Sequence, residues 1–359
     1  MPSTESAERP GPVIRVGLVG YGFAGQTFHA PVLSAVPGLQ LAAVASSQPA
    51  KVLADWPQAQ VVATVDELLA RDVDLIVVAT PNEQHHPVAR AALQAGRHVV
   101  VDKPFTLDAG QAHELAELAR TQGRVLSVYQ NRRWDADFLT LRDLLKRGAV
   151  GRPVYFESHF DRFRPQVRAR WREQAVPGAG LWVDLGSHLL DQALQLFGAP
   201  DTLQLDCAAL RDGAQVEDHF HALLRYERGP HAPLRVVLHA STLAAHAAPR
   251  YLLHGTQGSY MKQGVDTQED ALRAGQKPGG SDWGADALQG EWVSVQPDGS
   301  LRTAAVPNAR GDYTRYYAQV RDAIRGQGKP PVTPDEAVQL MQWLDLGRQS
   351  AAEGRALRL

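Results

Sequence analysis

The chain has almost no cysteine and no excess of charge of either sign. Cys207 is the single cysteine among 359 residues, which excludes an internal disulfide and a thiolate metal cluster and fits a reducing compartment such as the cytoplasm. Lys and Arg number 37 against 39 Asp and Glu, a net charge of -2. A general nucleic-acid-binding protein needs a basic face to displace counterions, so we expect no nucleic-acid partner.

Long apolar runs are also missing. The longest candidates, such as residues 75–79, have the length of a buried strand and fall far short of the ~20 residues that cross a bilayer. Residues 1–12 combine prolines with polar residues and lack the apolar core of a signal peptide. We therefore predict a disordered tail over residues 1–12, no membrane partner, and small molecules as ligands.

The first third of the chain alternates short apolar runs with amphipathic segments. The runs are rich in Val, Leu and Ile, as is typical of parallel strands covered on both faces. Helical patterns at 87–95 and 109–121 separate some of them, which predicts a doubly wound α/β domain over residues 13–130. The predicted strands are 13–19, 40–45, 61–63, 74–79, 98–101 and 125–128.

The pattern changes after residue 131. Apolar and polar residues alternate more strictly, and regular helices no longer separate the strands, which predicts a large, mostly antiparallel sheet with one open face. We predict strands at 153–160, 203–208, 220–226, 235–239 and 250–254. Residues 264–290 are rich in Gly and Asp and are interpreted as a long excursion, and Thr333 to Glu336 have the pattern that caps a final helix. Residues 131–359 then form a second α/β domain.

A glycine-rich loop follows the first predicted strand. Gly20 permits a tight turn, Gly22 lets the backbone approach a pyrophosphate, and Gly25 lets the following helix pack against the strand. Such a loop can be merely a turn, but here it opens a series of βαβ units, which is the context that dinucleotide binding requires. The loop residues predicted to contact the dinucleotide are Gly20, Tyr21, Gly22, Phe23, Ala24 and Gly25.

The end of the second predicted strand indicates which dinucleotide binds. NAD-preferring sites usually have an acidic residue there to hold the ribose 2′-hydroxyl, whereas this chain has Ser46 and Ser47, with Lys51 one turn into the next helix. Asp55 lies too far along the chain to serve. Two hydroxyls and a cation suit a 2′-phosphate, so we expect NADP, with NAD as the weaker alternative. In the alternative interpretation the serines only cap a helix.

Three polar residues have the types that alcohol oxidation needs. Lys103 ends a buried strand, at the sheet edge where ligands of open α/β sheets bind, and can donate a proton. Asp184 and His188 are four residues apart, which predicts one helical face. Histidine has a suitable pKa for a base, and Asp184 could orient it or hold a substrate hydroxyl. Alone, such a pair is more often structural, and Lys103 could be a solvated lysine.

Together these motifs resemble the Gfo/Idh/MocA oxidoreductases, and the likeness runs from about residue 13 to the C-terminus. Residues 129–135 and 156–165 resemble the branch that contains NADP-dependent scyllo-inositol dehydrogenases. The resemblance implies a Rossmann domain, a second domain whose sheet forms dimer or tetramer contacts, and hydride transfer to or from a cyclic polyol or sugar. It assigns His188 as base, Lys103 as proton donor and Asp184 as the carboxylate that orients substrate. It further implies cofactor contacts by Thr80, Pro81, Asn82, His85, Asp102, Trp171 and Arg172, and substrate contacts by Asn131, Arg132 and Arg162.

The chain departs from the family pattern at one motif, and some of its residues have alternative interpretations. The common Glu-Lys-Pro triplet is Asp-Lys-Pro here, with Asp102 as the shorter acid. His219 and His221 share a strand face, but without a third ligand we expect no metal. The basic run Arg162 to Arg172 is interpreted as mostly a solvated face. Glycoside hydrolysis by transient oxidation and a non-enzymatic NADP sensor remain alternatives.

Overall fold

The computed structural model describes residues 11–246 and 248–359, so residues 1–10 of the predicted tail lie outside the described part. Six parallel strands form the first sheet, in the spatial order β3-β2-β1-β4-β5-β6. This is the doubly wound order expected for a dinucleotide-binding domain. The strands are β1 (Ile14–Val19), β2 (Leu39–Ala45), β3 (Gln60–Val62), β4 (Leu75–Val78), β5 (His98–Val101) and β6 (Leu126–Val128).

Helices cover both faces of this sheet, which explains why its strands have apolar side chains on both sides. Every residue of β4 is buried, as the uninterrupted Leu-Ile-Val-Val run predicts. The Thr64 side chain accepts a hydrogen bond from the backbone N–H of Glu67 and so caps α3. The helices are α1 (Ala30–Ser34), α2 (Pro49–Asp55), α3 (Val65–Leu69), α4 (His85–Gln94) and α5 (Ala109–Thr121).

Eight strands form the second sheet, in the order β14-β13-β12-β11-β7-β10-β9-β8. Its neighbours are antiparallel except for β7 and β10, which run parallel. The strands are β7 (Pro153–His159), β8 (Thr202–Ala208), β9 (His219–Arg225), β10 (Arg235–Ser241), β11 (Tyr251–Gly255), β12 (Gly258–Lys262), β13 (Gly290–Val295) and β14 (Leu301–Val306).

One face of the second sheet packs on helices, whereas the described residues place no helical layer on the other, open face, where alternate residues of β7 are only partly buried. Phe156 of β7 contacts the ring of Phe197 and stacks on Tyr251 of β11, so these side chains point to the helical side. Leu252 alternates with Tyr251 and points to the open side. The remaining helices are α6 (Ala136–Lys146), α7 (Ser187–Phe197), α8 (Gln268–Arg273), α9 (Thr314–Ile324) and α10 (Pro334–Glu353).

The last helix contacts both sheets. α10 packs on α5 and β6 of the first sheet and on β8 and α7 of the second. Thr333 and Glu336 form the reciprocal capping box that the sequence predicts for its start. No helix of the described residues is long and apolar enough to cross a membrane.

Candidate active site

The glycine loop leaves room where a dinucleotide phosphate would lie. Gly20 has a φ of 93°, and a Cβ there would lie 2.6 Å from the carbonyl oxygen of Ala79. A Cβ on Gly25 would lie 2.1 Å from the carbonyl oxygen of Gly20, so only glycine allows this helix to start so close to β1. A Cβ on Gly22 would meet no atom within 4 Å. The space beside Gly22 fits the approach of a pyrophosphate to the backbone.

A groove of about 530 Å³ runs over this loop. Most of the predicted cofactor residues line it, and Arg172 is its one cationic side chain among the described residues. The residues of that set that line the groove are Gly20, Tyr21, Gly22, Phe23, Ala24, Ser46, Ser47, Thr80, Pro81, Trp171 and Arg172.

Five predicted cofactor residues do not line the groove: Gly25, Lys51, Asn82, His85 and Asp102. The His85 ring is buried, with Nδ1 2.8 Å from the carbonyl oxygen of Pro104 and Nε2 3.0 Å from that of Thr80. The Asn82 amide donates to the carbonyl oxygen of Gly178 at 2.9 Å. Lys51 Nζ lies 5.9 Å from the centre of the Tyr21 ring. His85 and Asn82 thus join loops that border the groove.

The part of the groove after β2 has no acidic side chain among the described residues. The Ser46 hydroxyl lines the groove and also accepts a hydrogen bond from the Gln48 N–H at 3.0 Å, so its capping role and its groove position coexist. Asp55 is bound elsewhere, accepting from Tyr21 Oη and Gln26 Nε2 at 2.8 Å each. The groove therefore lacks the carboxylate that would hold a ribose 2′-hydroxyl and repel a 2′-phosphate.

Lys103 and Asp184 meet in a second, adjoining cavity of about 120 Å³. Lys103 follows β5, and its Nζ donates to Asp184 Oδ1 at 2.7 Å and to the Asp184 carbonyl oxygen at 2.9 Å. Asp184 lies in a π-helical turn over Trp182–Gly186 that leads directly into α7, and His188 is the second residue of α7. All three side chains line the cavity.

The charges around this cavity set the ionisation of the acid and the imidazole. Burial alone would raise the pKa of Asp184, but Lys103, Arg172 and Arg162 hold that pKa well below its usual range. Burial, with help from the charges of Lys103 and Arg132, lowers the pKa of His188 well below its usual value. The cavity therefore presents an ionised carboxylate beside a neutral imidazole.

Asp184 does not orient the imidazole through a direct hydrogen bond, which was one of its two expected roles. Its carboxylate is bound by Lys103, and His188 Nδ1 is buried without a hydrogen-bond partner among the described residues. The π-helical turn accounts for the difference, because it interrupts the regular α-helical stacking of residues four apart. The spacing brings both residues to one cavity without pairing them.

Asp102 supports the lysine from the other side. Its carboxylate accepts a hydrogen bond from the backbone N–H of Lys103 at 2.9 Å and lies 3.4 Å from Nε2 of the buried His29. The His29 Nδ1 is in turn 2.6 Å from Tyr317 Oη. Burial would raise the pKa of Asp102, but His29 and Lys103 lower it, so the carboxylate is ionised. No sequence pattern singled out His29 or Tyr317, since their partners come from distant segments.

Three predicted substrate residues, Asn131, Arg132 and Arg162, line the same cavity. Arg132 is buried and bound to Asp135 at 3.2 Å and to Glu269. Glu269 was not predicted as a site residue, because residues 264–290 were interpreted as a long excursion. In the structure that segment contains α8, which brings Glu269 and Arg273 to the cavity wall.

The interpretation of the basic run Arg162 to Arg172 as mostly a solvated face is correct for only part of the run. Arg168 is exposed, whereas Arg162, Arg164, Arg170 and Arg172 line the cavity. The groove and the cavity share three lining residues, Phe23, Ala24 and Arg172. The cavity that holds Lys103, Asp184 and His188 therefore adjoins one end of the groove.

A histidine cluster lies away from this cavity, on the second sheet. The potential metal-ligand atoms of His159, Asp161 and His239 lie within 4.8 Å of one another, and the centre of the His219 ring is 5.1 Å from that of His239. The pair His219 and His221, which the sequence places on one strand face, therefore lies at the edge of a larger cluster. His239 Nδ1 is 2.9 Å from Asp161 Oδ1. Burial would lower the pKa of His159, but Asp161 and Glu157 raise it, so ion pairs already account for the cluster.

Comparison with known proteins identifies the same two domains, a Rossmann domain and a C-terminal α/β domain. A family model described as "Oxidoreductase family, NAD-binding Rossmann fold" matches residues 14–130, and its companion, "Oxidoreductase family, C-terminal alpha/beta domain", matches residues 142–359. The uncharacterized oxidoreductase YdgJ of Escherichia coli (strain K12) is 50% identical over 96% of this chain and 99% of its own length. The scyllo-inositol 2-dehydrogenase (NADP(+)) IolW of Bacillus subtilis (strain 168) is 36% identical over 96% of both chains. The structure of the oxidoreductase YPO2259 from Yersinia pestis superposes with a TM-score of 0.92 at 51% identity, covering 97% of this chain and 98% of that one.

Proposed function

Since the chain belongs to the Gfo/Idh/MocA family of NAD(P)-dependent oxidoreductases, we propose that it transfers a hydride between NADP and a secondary alcohol or ketone of a cyclic polyol or sugar. The observation that carries the proposal is the cavity containing Lys103, Asp184 and His188 at the end of the dinucleotide groove. A substrate in this cavity would lie next to the part of the groove that Arg172 lines.

The preference for NADP is supported by the residues after β2. Ser46 and Ser47 offer hydroxyl donors, and the groove has no carboxylate among its described lining residues. Those features suit a 2′-phosphate better than a free 2′-hydroxyl. NAD remains the weaker alternative, bound through the same glycine loop. The NADP dependence of the relative IolW agrees with this preference.

The roles of the three cavity residues follow from their ionisation. The bound nicotinamide accepts or supplies the hydride. His188, held neutral by burial and by nearby cations, takes the hydroxyl proton during oxidation and returns it during reduction. The Lys103 ammonium donates a hydrogen bond to the substrate oxygen that becomes a carbonyl. Asp184 is ionised and accepts a hydrogen bond from Lys103 and from a neighbouring substrate hydroxyl.

A cyclic polyol or sugar is supported by two kinds of observation. The cavity wall is polar, with carboxylate, amide, imidazole and guanidinium groups that match an array of hydroxyls. The relative IolW acts on scyllo-inositol by its name, and the likeness covers almost the whole chain. From this relative we extend to this protein only the broad class of cyclic polyols and sugars, and not the particular compound.

Turnover with purified protein tests the proposal. The change in nicotinamide absorbance is followed with NADP or NAD and a panel of inositols and aldoses. Release of reduced NADP with one polyol or sugar supports free hydride transfer. Turnover without any release of reduced cofactor would instead favour transient oxidation with the cofactor retained, and cofactor binding without turnover would favour a sensor.

A further inference from the structure

The wall of the catalytic cavity has an excess of positive charge. Among the described residues, seven cationic side chains line it against three acidic ones, Asp102, Asp184 and Glu269. A neutral polyol needs hydrogen-bond donors and acceptors but no such excess. The cations are Lys103, Arg132, Arg162, Arg164, Arg170, Arg172 and Arg273.

Most of these cations have an acidic partner. The partners are on the protein itself, so those charges are balanced without any ligand. The pairs are Lys103–Asp184 at 2.7 Å, Arg132–Asp135 at 3.2 Å, Arg132–Glu269, Arg273–Glu269, Arg170–Glu173 at 2.6 Å and Arg172–Asp184 at 3.6 Å.

Arg162 and Arg164 are the two exceptions. Within residues 11–246 and 248–359, neither guanidinium has an acidic partner within 4 Å or a hydrogen bond to another group. The Arg162 guanidinium lies 4.8 Å from the centre of the Phe160 ring, which fixes its position by a cation–π contact. Both arginines line the cavity.

The backbone explains why the two arginines lie on the same wall. The segment that follows β7 is extended, and the N–H groups of Arg162 and Arg164 donate to the carbonyl oxygens of Ser241 at 2.9 Å and Thr242 at 2.7 Å. Side chains alternate in such a segment, so residues two apart point the same way. Phe163, between them, is 58% exposed and points outward.

Burial makes the charged form of both guanidinium groups less favourable, although the charges of Asp184 and Glu269 offset part of this effect. Burial lowers the pKa of Arg162 to about 10. Burial, and then the charges of Arg168, Arg170 and Arg273, also lower the pKa of Arg164. Both groups still carry their charge at neutral pH. Guanidinium groups bind carboxylates and phosphates through paired, charge-assisted hydrogen bonds, which would offset this unfavourable burial.

The phosphates of the cofactor are not the expected partners. The dinucleotide groove is lined by Arg172 and Trp171, whereas Arg162 and Arg164 line only the adjoining cavity. That cavity contains Lys103 and His188, where the substrate is expected. An anion between the two arginines would therefore belong to the substrate.

We propose that the substrate carries an anionic group, a carboxylate or a phosphate, besides the hydroxyl that is oxidised, and that Arg162 and Arg164 bind this group. This inference rests on the proposed hydride transfer at Lys103 and His188. It narrows the substrate class from polyols and sugars in general to sugar acids or sugar phosphates.

Matched ligands test the inference on the NADP-saturated full-length protein. Binding of D-glucose, D-glucuronate and glucose 6-phosphate is measured by calorimetry, and turnover by cofactor absorbance. The inference predicts that at least one of the two anions binds about tenfold or more tightly than glucose, as expected for charge-assisted hydrogen bonds. The arm that shows the preference distinguishes carboxylate from phosphate. Equal binding of all three ligands would overturn it.

Variants locate the preference. Arg162→Gln and Arg164→Gln should each reduce the ratio of anion to glucose affinity by about tenfold, whereas Arg71→Gln, a change at an exposed arginine before β4, should leave it intact. Should a cavity variant fail to fold, competition in the wild-type protein decides: malonate or inorganic phosphate should displace the bound anion, and failure of both to compete would contradict the inference.

The two proposals fail in different ways. Turnover of neutral polyols that matches or exceeds that of every anion would overturn the anionic substrate while leaving hydride transfer intact. Tight, arginine-dependent anion binding without cofactor reduction or oxidation by any ligand would overturn hydride transfer, and with it the assignment of the anion as a substrate group.

Discussion

The contact between Lys103 and Asp184 allows a quantitative prediction. Lys103→Met keeps the length of the side chain and removes the ammonium, together with its hydrogen bonds to Asp184 at 2.7 Å and 2.9 Å. The substrate oxygen then loses a hydrogen-bond donor, and the mainly buried Asp184 keeps Arg172, at 3.6 Å, as its one ion-pair partner among the described residues. Removing one donor to an oxygen that gains charge in the transition state costs about 10²–10³ in kcat, which corresponds to about 3–4 kcal/mol of transition-state stabilisation. We therefore expect kcat to fall by at least about a hundredfold.

The assay separates chemistry from binding and from folding. Steady-state turnover gives kcat, and quenching of tryptophan fluorescence gives the Kd for NADPH, which should change far less because Lys103 does not line the dinucleotide groove. Lys146→Met, at the exposed end of α6, is the matched control and should retain wild-type kcat. A Lys103→Met variant that folds and turns over within threefold of wild type would refute the assigned role.

Four further predictions follow from the same geometry. Because the pKa of His188 is lowered below its usual value of ~6.5, the imidazole stays unprotonated from neutral pH down to that value. The kcat/KM for oxidation should therefore stay flat over this range, and a fall centred at or above pH ~6.5 would contradict the assignment. Ser46→Asp should shift the ratio of kcat/KM for NADP and NAD toward NAD, with Ser281→Asp, at an exposed position outside the groove, as control. Gly25→Ala should weaken cofactor binding and lower Tm, because its Cβ would lie 2.1 Å from a carbonyl oxygen; unchanged values would contradict the packing argument. Light scattering should show a dimer or tetramer that Leu252→Glu, on the open sheet face, dissociates; a monomeric wild-type protein would contradict the expected assembly.

The parallel sheet could be predicted almost strand by strand because its signals are local. Each strand is a short, continuous apolar run, and the predicted 98–101 and 109–121 coincide with β5 and α5. The second sheet was predicted less completely, since β12, β13 and β14 were missed. β14 alternates weakly and is largely exposed at the sheet edge, so no buried face left a pattern in its sequence.

The site residues that could be predicted are those that lie in short sequence motifs next to a predicted strand or helix. The glycine loop, Lys103 and the Asp184 and His188 segment were found this way. Asp102 was assigned through its motif, but its link to His29 and Tyr317 depends on contacts between distant segments. Likewise, Glu269 could not be predicted, because it lies in a segment rich in Gly and Asp. The position of Arg164 on the cavity wall depends on the backbone hydrogen bond between its N–H and the carbonyl oxygen of Thr242.

Nicotinamide absorbance tests the central claim most directly. Purified protein is incubated with NADP or NAD and a panel of inositols, aldoses and their uronates, and reduced cofactor is measured. We predict that at least one panel member reduces free NADP, with a higher kcat/KM for NADP than for NAD, and that Lys103→Met abolishes most of this turnover. Turnover with NAD alone, or turnover that is independent of Lys103, would contradict this prediction.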